Sequence, residues 1–203
     1  MKGYYFITDS GLSAGGTMHD VRCAVMAGVR VVQYREKDAP SGVMYREAHE
    51  IAELCAGSAT RLIINDRVDI ALAVGADGVH IGQDDLPYPV ARRLLGPDRI
   101  IGVTVHSLDE AIDAERAGAD YLGVSPIFAT GTKLDAGHPC GVETLAKIRA
   151  ACRLPLVAIG GIDLENVDEV ISAGADMACA ISAVVAKSDV PEEILQFQRK
   201  FGL

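Results

Sequence analysis

Apolar residues in this chain gather into short runs separated by longer amphipathic stretches. Eight runs stand out: Tyr4–Thr8, AGVRVVQ from Ala27, Arg61–Asn65, GADGVHI from Gly75, Arg99–Thr104, GADYLGV from Gly118, Leu154–Gly160 and GADMACAIS from Gly174. They are short, rich in Val and Ile, and show no strict alternation, which predicts strands buried on both faces. Between them the spacing predicts helices over Met18–Ala27, Ser41–Ala56, Arg67–Val74, Tyr88–Leu95, Leu108–Ala117, Val142–Ala151, Leu164–Ala173 and Pro191–Phe201. Val68, Ala71 and Leu72 illustrate the helical period. Ser41, Asp66, Ser107 and Asp163 are candidate N-caps. Gly28, Gly75, Gly118 and Gly174 each stand where a helix ends and a strand follows.

Strict alternation of strand and helix requires parallel strands joined by helical crossovers. Eight units in 203 residues predict an α/β fold, one (β/α)8 barrel domain spanning residues 1–203. The rival is an open doubly wound sheet, which would want a glycine-rich phosphate loop after its first strand. Gly11, Gly15 and Gly16 in GLSAGGT have the wrong spacing for that loop.

Composition narrows the function classes. The chain is 49% hydrophobic and 23% charged, the balance of an ordinary globular protein. Its 28 acidic against 19 basic residues give a net charge of -9, which argues against a nucleic-acid partner. No apolar run approaches the roughly 20 residues needed to cross a bilayer, and MKGYYFITDSG is too short a run for a signal peptide. A cytoplasmic location is expected. The five cysteines are widely spaced and form no CxxC, which suits reduced, mostly buried thiols.

In a barrel of this class the chemistry sits where strands end. Gln33, Arg35 and Lys37 follow the second strand; Asn65 and Asp66 the third; His80, Gln83, Asp84 and Asp85 the fourth. Thr104 and His106 follow the fifth, and Ser125, Thr130, Thr132 and Lys133 the sixth. Gly160-Gly161 and Ile181-Ser182 follow the seventh and eighth. Arg35, Lys37 and Lys133 are three cations on one rim, fit for a pyrophosphate. Asp66 and Asp85 are carboxylates on adjacent strands, the hard oxygen donors that Mg²⁺ prefers. The Gly pair and Ser182 suit a second phosphate. Two phosphate regions imply two phosphorylated small-molecule ligands, or one long one. Each residue also has a bland reading: Asp66 as a helix cap, Arg35 in a surface ion pair, Gly160-Gly161 as a tight turn, His80 as a packed or hydrogen-bonded side chain. His19, His49 and His138 show no partner pattern.

Taken in order, YFITD, VVQYREKD, IINDRVDIALAVGADGVHIGQDDLP, GVTVHSLDEA, GADYLGVSPIFATGTK, PLVAIGGI and AISAV resemble the thiamine phosphate synthase family from about Tyr4 to Val184. The block NDRVDIALAVGADGVHIGQDD is the most specific of them. The resemblance implies a (β/α)8 barrel and Mg²⁺-dependent coupling of an aminopyrimidine diphosphate to a thiazole phosphate. By matching positions it implies that Arg35, Lys37, Asn65 and Lys133 hold the pyrophosphate and Asp66 and Asp85 the metal. Gln33 and Thr104 would face the pyrimidine, and Thr130 and Thr132 would cover both substrates. Gly161, Ile181 and Ser182 would form the thiazole phosphate pocket. Arg35, Lys37, Thr104 and Lys133 would carry the catalysis. The resemblance brings no membrane or nucleic-acid partner; a homo-oligomer fits it.

This chain departs from the family pattern at Thr104, where Ser is usual, at Val105, and at Ser125, where Gly usually precedes Pro126. The related thiazole tautomerase shares IGGI and VHSLDEA, but would carry His at Pro126 and lack Asp66 and Asp85. A non-catalytic thiamine phosphate sensor would not need the intact set of cations and carboxylates.

Overall fold

A computed structural model describes residues 2–131 and 137–203. Its eight strands form one closed parallel barrel in sequence order, β1 pairing with β8. They are β1 Gly3–Ile7, β2 Val31–Tyr34, β3 Arg61–Asn65, β4 Gly78–Ile81, β5 Ile100–Val105, β6 Tyr121–Val124, β7 Leu156–Ile159 and β8 Met177–Cys179. All but a few strand residues are buried, because side chains on one face fill the barrel and those on the other pack under helices. That two-sided burial is why the runs read as continuous apolar stretches.

The helices around the barrel are α1 Thr17–Met26, α2 Ser41–Cys55, α3 Val68–Val74, α4 Tyr88–Leu95, α5 Leu108–Ala117, α6 Gly141–Ala151 and α7 Val167–Ser172, then α8 Ser182–Val185 and α9 Val190–Lys200. The short α8 was not expected; four residues are too few to show a helical period. All four glycines singled out at helix ends have positive φ. Gly75 and Gly118 are left-handed C-caps.

The caps correct the sequence reading in three places. Ser107 does cap α5, accepting from the Glu110 N–H at 3.2 Å. Ser41 is instead the first helical residue, and its Oγ accepts from Arg67 Nη2 at 2.9 Å. Asp66 does not cap α3, whose N-cap is Arg67. Asp163 organises a turn ahead of α7, its Oδ1 accepting from the N–H groups of Glu165 and Asn166 at 2.9 and 3.1 Å, and the helix starts only at Val167. None of the described cysteines is in a disulfide, and all but the half-buried Cys140 are buried. No described helix is long and apolar enough to cross a membrane.

Candidate active site

Three cavities open at the C-terminal ends of the strands, and Ser125, just past β6, lines all of them. The first is a polar cleft of about 220 Å³ between the ends of β3, β4 and β5, lined by Lys37, Asn65, Asp66, Asp84, Asp85 and Thr104 among others. The second is a small inner cavity within the barrel mouth, walled by Tyr5, Gln33, His80, Thr104 and Tyr121. The third lies between β6, β7 and β8 and is lined by Thr130, Gly160, Gly161, Ile181 and Ser182. A wider cleft at the opposite end of the barrel is bordered by Lys2, Arg30 and Arg61, all exposed, and Arg61 is already paired with Asp77.

In the polar cleft Asp66 is the one non-glycine residue at positive φ among those described, at 60°. Its N–H donates to the His80 carbonyl on β4 at 2.8 Å, which ties the ends of β3 and β4 together. Asp is among the few residues that tolerate this conformation, and such strain gathers at functional positions. Burial raises the Asp66 pKa, and the neighbouring Asp85 raises it further against the pull of Lys37. Lys37 Nζ donates to Asp66 Oδ2. Asp85 Oδ2 is oriented by the Gly82 N–H at 2.7 Å. Two carboxylates crowded together in a half-buried cleft are oxygen donors whose repulsion a divalent cation would relieve. With two protein oxygens, the other positions of an octahedral ion must come from water and ligand. The described residues hold no cluster of three or more metal-binding side chains.

Arg35 sits beside these cavities rather than in their lining. Its Nη1 lies 3.6 Å from Asp9 Oδ2 at the end of β1, both side chains mostly buried. Its Nε is buried without a partner among the described residues, and its backbone N–H donates to Thr8 Oγ1 at 2.8 Å. A guanidinium with an unused buried donor is ready to meet an anion. Asp9 escaped the sequence reading; its position directly after the first apolar run was the available signal. His106 also gains a place, its Nδ1 meeting the Ser125 carbonyl at 2.5 Å. Gln33 and Asn65 are buried to 2% and 6% exposure, unusual for amides and consistent with inward strand positions. His80 is hydrogen-bonded through both ring nitrogens, as the bland reading had it.

Lys37, Asn65, Asp66, Asp85 and Thr104 are thus brought into one cleft, and Thr130, Gly161, Ile181 and Ser182 into another. Gln33 and Thr104 share the inner cavity between them. Thr132 and Lys133 lie outside the described residues.

Comparison with known proteins gives the family. The family described as thiamine monophosphate synthase matches residues 4–184. The chain is 54% identical to a thiamine-phosphate synthase of Methanosarcina barkeri, over 96% of this chain and 88% of that one. It is 52% identical to a thiamine-phosphate synthase of Chloroflexus aurantiacus, over 92% and 86%. A solved thiamine phosphate pyrophosphorylase from Pyrococcus furiosus superposes with a TM-score of 0.91 at 39% identity, covering 98% of this chain and 95% of that one. With its barrel and strand-end cavities, this chain belongs to the thiamine monophosphate synthase family.

Proposed function

We propose that the protein joins an aminopyrimidine methyl diphosphate to a thiazole phosphate, giving thiamine phosphate and pyrophosphate. The observation that carries this reading is the meeting of three unlike cavities at Ser125: a charged cleft, a neutral inner cavity and a third pocket with a Gly-Gly turn. The charged cleft suits the diphosphate, the polar wall of the inner cavity one edge of the pyrimidine ring, and the third pocket the phosphate of the thiazole. Ser125 then marks the place where the two substrates touch.

The step breaks the C–O bond between the pyrimidine methylene and the diphosphate, and the electron pair leaves with pyrophosphate. The thiazole nitrogen lone pair then forms the new C–N bond. The electron-rich aminopyrimidine stabilises the intervening cation, so no protein nucleophile is needed. The protein's part is electrostatic. Lys37 and Arg35 neutralise charge as it grows on the leaving group, with Asn65 as a neutral donor. Lys133 and Thr132, which lie outside the described residues, belong to the same reading by the family resemblance. Asp66 and Asp85 fit Mg²⁺, which when bound supplies further charge neutralisation at the diphosphate. Gly161, Ile181 and Ser182 hold the thiazole phosphate.

Incubation with Mg²⁺, the aminopyrimidine diphosphate and the thiazole phosphate should release pyrophosphate in step with thiamine phosphate. Asp66→Asn or Asp85→Asn should lower kcat/KM at least about a hundredfold, roughly 2.7 kcal/mol of leaving-group stabilisation. The exposed Asp84, which adjoins Asp85 and lines the same cleft, is the control, and Asp84→Asn should cost less than about threefold. No pyrophosphate release, or an Asp84 variant as impaired as the Asp85 variant, would contradict the reading.

A further inference from the structure

Four hydrogen bonds cross the interior of the barrel in series. Gln33 Nε2 on β2 donates to Tyr5 Oη on β1 at 2.9 Å. Tyr5 Oη lies 2.8 Å from Tyr121 Oη on β6. Tyr121 Oη lies 2.9 Å from His80 Nδ1 on β4, and His80 Nε2 lies 2.8 Å from Thr104 Oγ1 on β5. The chain is built rather than incidental. A Cβ at Gly102 would overlap the Tyr121 ring, and one at Gly123 would stand 2.8 Å from His80 Cε1, so both glycines make room for it. The His80 and Tyr121 rings stack at 5.4 Å, and the two tyrosine rings lie 5.9 Å apart.

The Gln33 amide, with Nε2 turned to Tyr5, gives the chain its direction. Each phenol has one hydrogen, and burial raises both phenol pKa values far above ordinary, so each keeps it. Tyr5 Oη accepts a hydrogen bond from the Gln33 amide, which leaves its own O–H to donate to Tyr121. Tyr121 must then donate to His80 Nδ1. With Nδ1 an acceptor, neutral His80 carries its hydrogen on Nε2 and donates to Thr104 Oγ1. The Thr104 hydrogen is left to point into the cavity. At the other end, Gln33 Oε1 has no protein partner among the described residues, and Gln33 lines the same inner cavity. Bonds aligned head to tail strengthen one another.

We propose that Tyr5 and Tyr121 are positioning residues whose one-way hydrogen-bond chain fixes a carbonyl acceptor at Gln33 and a hydroxyl donor at Thr104, and thereby selects the amino form of the pyrimidine over an oxo form. An aminopyrimidine offers a donating amino group beside an accepting ring nitrogen, complementary to that pair. An oxo-pyrimidine offers a carbonyl beside a ring N–H, which reverses both partners and leaves buried groups unpaired. Both tyrosines also wall the inner cavity, but their part in the selection is indirect. Each acts by denying its neighbours the opposite proton order. The inference rests on the coupling function proposed above.

The test compares the aminopyrimidine diphosphate with its oxo counterpart, by calorimetric binding with Mg²⁺ and by steady-state kinetics. The wild-type protein should prefer the amino form by at least about thirtyfold. Tyr121→Phe and Tyr5→Phe keep the rings and remove one link each. Each should lower that preference about tenfold and raise the KM for the aminopyrimidine diphosphate, with the KM for thiazole phosphate and the melting temperature unmoved. Thr104→Val should behave like the Phe variants, and Thr104→Ser, which keeps the donor, should retain the preference. Retained preference in both Phe variants of an active protein overturns this inference alone. A wild-type protein inert in the coupling reaction overturns the functional reading beneath it.

Discussion

Asp20 shows how a single residue can act against the fold that holds it. It lies on α1 at 1% exposure; Oδ2 accepts from Ser13 Oγ at 2.5 Å, and Oδ1 has no partner among the described residues. Burial raises its pKa above the usual carboxylate value, the Ser13 bond opposing. A carboxyl whose folded pKa is raised binds its proton more tightly when folded, so stability is lost as pH rises through the unfolded value toward the folded one. Asp20→Asn removes that penalty. The variant should gain melting temperature over wild type at pH of about 7.5, with the gain shrinking toward about pH 4. A gain independent of pH would deny the charge its role. Gly161 raises a different issue. It has φ of 64°, and a Cβ there would lie 2.5 Å from the Ala129 carbonyl oxygen and 2.8 Å from Phe128 Cβ. A bulky residue at this turn would therefore displace the β6–α6 connection as well as any bound phosphate. Ser182→Ala is the cleaner probe of the third cavity. It should raise the KM for thiazole phosphate about tenfold, the value of one hydrogen bond to a charged group, and leave that for the aminopyrimidine diphosphate unchanged.

At the scale of the element, the caps separate what a residue type suggests from what its geometry allows. Ser107 has extended backbone angles and accepts from Glu110 N–H, and Glu110 Oε2 in turn accepts from His106 N–H at 2.7 Å. These two bonds fix the start of α5 directly after the strand that carries Thr104. Ser107→Ala should cost about 1 kcal/mol, or about 2–4 °C in melting temperature for a chain of this size. Ser41 looks the same in sequence but is already helical, the first residue of α2 after its cap Pro40. Ser41→Ala, which loses only an exposed bond to Arg67, should stay within about 0.5 kcal/mol of wild type by denaturant unfolding. The two serines cannot be told apart by periodicity, because the distinction rests on one residue's backbone angles.

The whole molecule closes where its ends meet. β1 pairs with β8 through Gly3↔Met177 and Tyr4↔Ala178 only, the shortest ladder of the barrel. Helix α9 secures that seam: buried Gln198 accepts the Tyr4 N–H at 2.9 Å, and Phe197 stacks on Tyr4 with centroids 5.1 Å apart. Gln198→Leu fills the space and leaves a buried N–H unpaired. It should lower the free energy of unfolding by about 1–3 kcal/mol, read from the urea midpoint with an unchanged denaturant slope. An unchanged midpoint would mean that the seam finds its partner elsewhere.

Strand number, parallel order and closure were legible in the chain itself, because each βα unit carries its own apolar run and amphipathic helix, and four of them the glycine stop. The strand-end polar residues were legible for the same reason: in a parallel barrel every strand delivers its last residues to one rim. Gln33, Asn65, Asp66, Asp85, Thr104 and Ser182 needed only that rule to be noticed. What no local pattern carries is which side chains meet across the barrel. Strands buried on both faces lose the alternation that marks inward positions, so Tyr5 and Tyr121 read as two more core aromatics. Their hydroxyls lie 116 residues apart in the chain and 2.8 Å apart in space. The left-handed turn that presents Asp66 and the Asp9–Arg35 pair depend on how neighbouring strands pair, β3 with β4 and β1 with β2. The sharing of Ser125 among three cavities is set by closure, which brings β6, β7 and β8 round to the same mouth as β1 to β5.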